Sequence, residues 1–467
     1  MANENKLVKN TLLYAIANFG SKFLTFLMLP LYTHYFTTSE YGLWDLIVTT
    51  STLLTPFITF ELVAAVYRWL LDEEREESRK SIITTGAIAI LRNLLIFNLL
   101  GVIIIITFPI PYGIEALIFI NVTVASSFLQ QCARGLGYNK LFAASGMIQA
   151  AVTVISILFF IFVLELRLEA FFYASILAGI SVVTIAWKVM GFGRYLSSKT
   201  YSKKMLTSFL LYSVPIIPGA VSWWIMSMSD RYFIIAYLGM EYNGIYAVAN
   251  KIPALLLMVH TVFSLAWKDS AIVAFHSDDK NEYYSTVFRY FFRLMTTSVI
   301  CITLLAKPIL DIVVADAFFD SWKFIGILLL GTLFSAFSQF WGAGFHGAKK
   351  TNIIFTTTFV GAGINVLFNL IFINVLGLYT VAISTFLAFF TMWVIRVFAS
   401  THYFKITMNK RDLFVLFLLI IGATVAPFVL SHTGVLISIV IGIALFFVYN
   451  KDAITLIRQA SRSFLHK

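Results

Sequence analysis

Charged and polar side chains set inside long apolar stretches are the residues of this sequence with chemistry to offer. In "SWWIMSMSDRYFI", residues 222–234, Asp230 and Arg231 directly follow two tryptophans, an isoleucine and two methionines. Near the N-terminus, Thr11, Tyr14, Asn18, Lys22 and Thr25 recur three or four residues apart, which puts them on one helical face. Tyr242, Tyr246 and Asn250 repeat the four-residue spacing just before Lys251. A lysine deep in hydrocarbon costs at least a few kcal/mol unless it meets water or a partner, and Lys22 lies too far along its stretch to snorkel out. Lys22, Arg92, Arg231 and Lys251 are therefore candidates for a cationic, anion-attracting cavity, with Tyr14, Asn18, Tyr246 and Asn250 as its polar lining. The competing readings are a structural pair for Lys22, an interfacial anchor for Arg92 and an interfacial pair below an aromatic belt for Asp230 and Arg231. Asp45, Glu61 and Asp230 are carboxylates in apolar surroundings, where such groups are protonated, paired or occupied by a cation. They are the candidates for ion coupling, against salt bridges to Lys22 or Arg68.

These residues must be carried by membrane-spanning helices. The 467-residue chain is 60% hydrophobic and 12% charged with a mean hydropathy of +0.87, where a soluble domain carries about a quarter charged residues. Apolar runs of roughly 20 residues, enough to cross about 30 Å of hydrocarbon, predict an all-α polytopic protein. Its fourteen spans are placed near 9–35, 42–68, 81–107, 114–134, 141–165, 168–190, 205–233, 240–266, 285–306, 322–346, 351–373, 376–400, 412–430 and 433–450. The polar start "MANENKLVKN" leads into the first span without a small-residue cleavage pattern, so that segment reads as a helix and not a cleaved signal.

The net charge of +11 is topological. With both termini in the cytoplasm, nearly all lysines and arginines, Arg68, Arg75, Lys203, Lys204 and Arg396 among them, fall on the inner side. Arg167, Arg231, Lys307 and Lys323 are left for the other, in agreement with the positive-inside rule. The cations form no single stripe, which argues against nucleic-acid binding.

The stretch from Leu12 can be laid over that from Leu210: Tyr14 meets Tyr212, Tyr35 meets Tyr232, and Glu40-Tyr41 meets Glu241-Tyr242. Six spans lie between, so the copies enter the membrane from the same side as a parallel repeat. The expected organisation is an N-lobe at 1–200, a C-lobe at 201–404, and two further spans with a basic tail at 405–467. Pro30, Pro56, Pro215, Pro218 and Pro253 fall in the first two spans of each half. Proline removes a backbone donor and kinks a helix, and matching interruptions in two halves point to a transport pathway.

Enzyme and metal signatures are lacking. "GAGFHGAKKT" at 342–351 lacks the lysine directly after glycine that a phosphate loop needs. The seven histidines show no ligand spacing, and Cys132 and Cys301 form no pair motif. No metal or other cofactor is expected, and transport against a gradient would draw on a Na+ or H+ gradient or the membrane potential.

"NTLLYAIANFGSKFLTFLMLPLYTHYFTTSEYGLWDL" and "SVPIIPGAVSWWIMSMSDRYFI", with the fourteen-span layout, resemble the Wzx-type oligosaccharide-lipid flippases of the multidrug, oligosaccharidyl-lipid and polysaccharide (MOP) exporter superfamily. The resemblance implies two pseudo-symmetric six-helix lobes around a central cavity with two C-terminal helices beside them. It implies alternating access that moves an undecaprenyl-diphosphate-linked repeat unit across the bacterial cytoplasmic membrane for O-antigen, capsule or exopolysaccharide synthesis. Membrane lipid, polymerases and glycosyltransferases are the implied partners. A drug or cation antiporter of the same superfamily, or a membrane polysaccharide polymerase or ligase, are the alternatives.

Overall fold

The computed structural model describes Gly20, Phe23, Leu24 and residues 26–465. Its helices in chain order are α1 (Leu29–Tyr35), α2 (Thr38–Thr59), α3 (Leu62–Asp72), α4 (Glu76–Thr107), α5 (Gly113–Gly135), α6 (Asn139–Phe162), α7 (Glu169–Met190), α8 (Lys203–Ser213), α9 (Ile217–Met228) and α10 (Asp230–Tyr237). They continue as α11 (Met240–Ala249), α12 (Lys251–Ala274), α13 (Lys280–Val313), α14 (Asp316–Phe319), α15 (Trp322–Gly347), α16 (Thr351–Leu376), α17 (Leu378–Ser400), α18 (Lys410–Val429) and α19 (His432–Leu465). Among the described residues, eleven helical stretches, with α8–α9 and α14–α15 each counting as one, are long and apolar enough to span a membrane, or thirteen if two bent pairs each count as one span. These thirteen coincide with the second to fourteenth expected spans. Most of the first, 9–35, lies outside the described residues.

The chain divides into two compact units, residues 1–224 and 225–467, with the boundary inside α9. In the first, α2 and α3 form one span bent by 60°. The helix runs through Pro56, and the bend comes at Phe60 and Glu61, both left-handed with φ of 48° and 54°. This corrects the expectation of a kink at the proline itself. Two non-glycine residues in that region cost of order 1–3 kcal/mol each and persist only where the surroundings hold them. Here Asn93 Nδ2 of α4 donates to the Ile58 carbonyl at 3.0 Å and Ser213 Oγ of α8 to that of Phe60 at 2.6 Å. The carbonyls opened by the bend are thus satisfied inside the bundle, as a lipid environment demands. Gly86 lets α4 approach α3: a Cβ there would stand 2.4 Å from Val66 Cγ2. Asn98 of α4 and Asn121 of α5 exchange amide hydrogen bonds of 2.9 and 2.7 Å.

In the second unit, α15 is buried along almost its whole length. Phe334, Phe337, Phe340 and Trp341 make it the hub of an aromatic core that includes Phe288 and Trp393. The last two spans join this unit. Arg293 of α13 pairs with Asp412 of α18 at 2.6 Å, and Asn450 of α19 donates to Thr297 at 2.9 Å. Lys307, expected in an outward loop, lies within α13, donates to the Pro427 carbonyl at 3.0 Å and sits 4.4 Å from the centre of the Trp322 ring.

Candidate functional site

The second unit encloses a polar cluster built on Asp230. The seventh expected span is interrupted at Ser229, between α9 and α10, and this break delivers Asp230 into the interior as the first residue of α10. Asp230 is fully buried. Its Oδ2 accepts from the Tyr246 hydroxyl of α11 at 2.6 Å and the Thr385 hydroxyl of α17 at 2.7 Å. Its Oδ1 accepts from the Asn369 and Asn365 amides of α16 at 3.1 and 3.3 Å. Behind these, Ser384 donates to Asn369 Oδ1 at 3.1 Å and Ser229 donates to Asn365 Oδ1 at 3.2 Å. A carboxylate taken out of water needs such donors, because an unpaired buried charge is far more costly than a paired one. Amide orientation follows the hydrogen-bond network, so rotation of Asn365 or Asn369 would present a carbonyl oxygen in place of NH2. With the amides so turned the set would be all oxygen, the donor type that suits a hard cation.

The profile of the family described as "Polysaccharide biosynthesis protein" matches residues 7–267, more than half of the chain. The protein belongs to this family. An uncharacterized membrane protein of Methanocaldococcus jannaschii is 20% identical over 437 residues, covering 85% of this chain and 84% of that protein. Among solved structures, the lipid II flippase MurJ in an inward closed conformation superposes with a TM-score of 0.67 at 18% identity, covering 95% of this chain and 100% of that one. An inward-facing multidrug resistance MATE family transporter of the MOP superfamily follows at 0.64 and 14%, covering 83% and 98%. The chain therefore shares its fold with these two transport proteins.

Of the candidates read from sequence, Asp230 and Tyr246 come together in the cluster. Arg231 is buried beside them, its guanidinium 5.1 Å from the centre of the Tyr246 ring and donating to the Ser227 carbonyl at 3.2 Å. The interfacial pair considered for Asp230 and Arg231 gives way to this buried arrangement. Asn250 occupies the junction between α11 and α12 and donates to the Tyr246 carbonyl at 2.8 Å, and half-buried Lys251 begins α12. Pro253 stands in the first turn of that helix. Glu61 is half-buried at the bend after α2, Asp45 is half-buried within α2, and Arg92 is exposed midway along α4. Pro30 lies in the first turn of α1, Pro215 in the 3-10 turn between α8 and α9, and Pro218 near the start of α9. Tyr14, Asn18 and Lys22 lie outside the described residues.

Asn365, Asn369, Ser384 and Thr385 were missed in the sequence. The signal was available as two asparagines four residues apart in one apolar span and an adjacent Ser-Thr pair in the next, but neutral residues there attract less notice than charges. Arg396, expected on the cytoplasmic side, is buried in α17. It donates to the Ser338 and Ile354 carbonyls and to the hydroxyls of Thr357 and Thr358, over 2.8 to 3.2 Å. Its fork ties α15, α16 and α17 together through neutral acceptors.

Proposed function

We propose that this protein is a flippase that carries an undecaprenyl-diphosphate-linked oligosaccharide across a bacterial cytoplasmic membrane by alternating access, supplying cell-surface polysaccharide synthesis. The observation that supports it most is membership of the polysaccharide biosynthesis family combined with a fold shared, over 95% of the chain, with a lipid II flippase. The charge asymmetry favours cytoplasmic termini, and Lys22, Arg92 and Lys251 are suited to attract a diphosphate. Polymerases and glycosyltransferases would be the functional partners. Asp230 is the favoured coupling group, because it is a carboxylate buried among hydroxyls and amides, and its load of a proton or Na+ would change the local charge. Asp45 and Glu61 are only half-buried, where Asp230 is fully enclosed, and rank below it.

The test is time-resolved movement of a labelled diphosphate-linked oligosaccharide lipid in proteoliposomes, with wild type beside Lys22→Ala and Lys251→Ala at equal protein insertion. Movement by wild type that falls in either variant supports the flippase and the cationic role. The fold is equally that of a multidrug transporter. Wild type that moves no lipid-linked sugar but exchanges a small cation would replace the flippase by an antiporter.

A further inference from the structure

A second feature, remote in sequence from Asp230, lies in the first unit. α3, the start of α4 and α8 enclose an open pocket of 760 Å³, within the range of small-molecule sites. It lies on the side that the charge asymmetry assigns to the cytoplasm. One wall is aromatic: Trp69 meets Tyr212 edge to face at 5.4 Å and is held from behind by Phe209 at 5.2 Å. Ile82 and Met205 extend that apolar wall.

The rim is polar but carries no excess of cation. Two arginines line the pocket against three carboxylates, Asp72, Glu73 and Glu77. Arg68 is paired with Asp72, Arg75 reaches Glu73 at 3.3 Å, and nearby Lys80 reaches Glu77 at 2.8 Å. Hydrogen bonding from Arg75 holds the Glu73 carboxyl down at about 2, so it stays an acceptor. A phosphate would meet guanidinium groups already neutralised and carboxylates that repel it. A sugar fits better: its C–H face can lie on an aromatic ring while its hydroxyls both donate to carboxylates and accept from guanidinium N–H groups.

The walls are fixed before any ligand arrives. Ser213 and Asn93 clamp the bend that aims α3. Ser81 Oγ donates to the Thr200 carbonyl at 2.8 Å, and the Ser202 N–H donates to Thr85 Oγ1 at 3.1 Å, locking α4 to the entry of α8. A preformed wall loses less entropy on binding. We infer that this pocket is a saccharide-binding site that receives the glycan headgroup on the cytoplasmic side before translocation, an inference that rests on the flippase reading.

The test is calorimetric titration of the full chain in nanodiscs with the repeat-unit oligosaccharide released by mild acid from the host's lipid-linked pool, and separately with inorganic pyrophosphate. Saturable glycan binding by wild type is expected, weakened about tenfold in Trp69→Leu and in the rim double variant Glu73→Gln/Arg75→Gln, with no competition from pyrophosphate. The double variant, remote from the core, keeps the wild-type melting temperature and guards against loss of folding. Equal binding by wild type and that variant overturns the site, and so does displacement of the glycan by pyrophosphate. Absent glycan binding in a preparation that still moves lipid-linked sugar also overturns the pocket and leaves the flippase standing. Wild type that binds the glycan but fails to move the lipid keeps the pocket and removes the flippase.

Discussion

The two units solve the problem of polar groups in an apolar bundle differently. Among the described residues, the interior of the first unit holds threonines, serines and Asn93 but no charged side chain, whereas the second buries Asp230, Arg231 and Arg396. In the first, neutral amides and hydroxyls repair the backbone at a bend or pair with each other, as Asn98 does with Asn121. In the second, Asp230 and Arg396 each gather a shell of hydroxyls, amides or carbonyls from neighbouring helices. A neutral pair can be lost at modest cost. A buried charge cannot lose its shell cheaply, nor the shell its charge. The second unit is therefore the place where a change of one proton or cation would be felt.

The largest effect expected from this contrast is at Asp230. Asp230→Leu strands four donors and should lower stability by about 3–5 kcal/mol, read as a lower melting temperature in detergent. Asp230→Asn keeps the shape and should fold, yet abolish any dependence of transport on a Na+ or H+ gradient; gradient dependence that survives would remove Asp230 from coupling. Next comes Arg396→Leu, which releases carbonyls and hydroxyls on α15 and α16 and should cost about 2 kcal/mol. A neutral result there would show that only the acidic cluster distinguishes the two units.

In the first unit, a double-mutant cycle on Asn98→Ala and Asn121→Ala should give a coupling of only about 0.6 kcal/mol, the usual size for polar pairs in membranes. A value matching Asp230→Leu would erase the contrast. Ser213→Ala should be similarly mild in stability, about 0.5–1.5 kcal/mol, but should increase hydrogen exchange at residues 58–64 where the bend loses its clamp. The smallest effect belongs to the exposed pair of Arg167 with Glu40, whose two hydrogen bonds of 2.8 and 2.9 Å lie at the N-terminal turn of α2. Arg167→Gln should cost below about 1 kcal/mol and less still at high salt.

Several elements were legible from residue order. The spans from the second onward matched expectation because an apolar run of twenty residues in lipid has little choice but helix. The repeated Glu40 and Glu241 both fall in the first turn of a helix, α2 and α11. Prolines misled at α2: Pro56 is accommodated within the helix, and the sharp turn falls on Phe60 and Glu61, two residues with no intrinsic preference for a left-handed backbone. The burial of Arg396 was not legible, since a basic residue near a span end shows no sign in the sequence of the carbonyls and hydroxyls of α15 and α16 that receive it.

By itself the sequence determined a helical membrane protein, the order of its long apolar elements from the second span onward, the family resemblance and the unusual depth of Asp230. These follow from hydrophobic length and local charge, which act along the chain. Only the tertiary structure decided where spans break and which polar groups meet. Asp230 finds Asn365, Asn369 and Thr385 more than a hundred residues away, because burial forces every polar group to take whatever partners packing brings within reach, and that proximity is written in no local pattern.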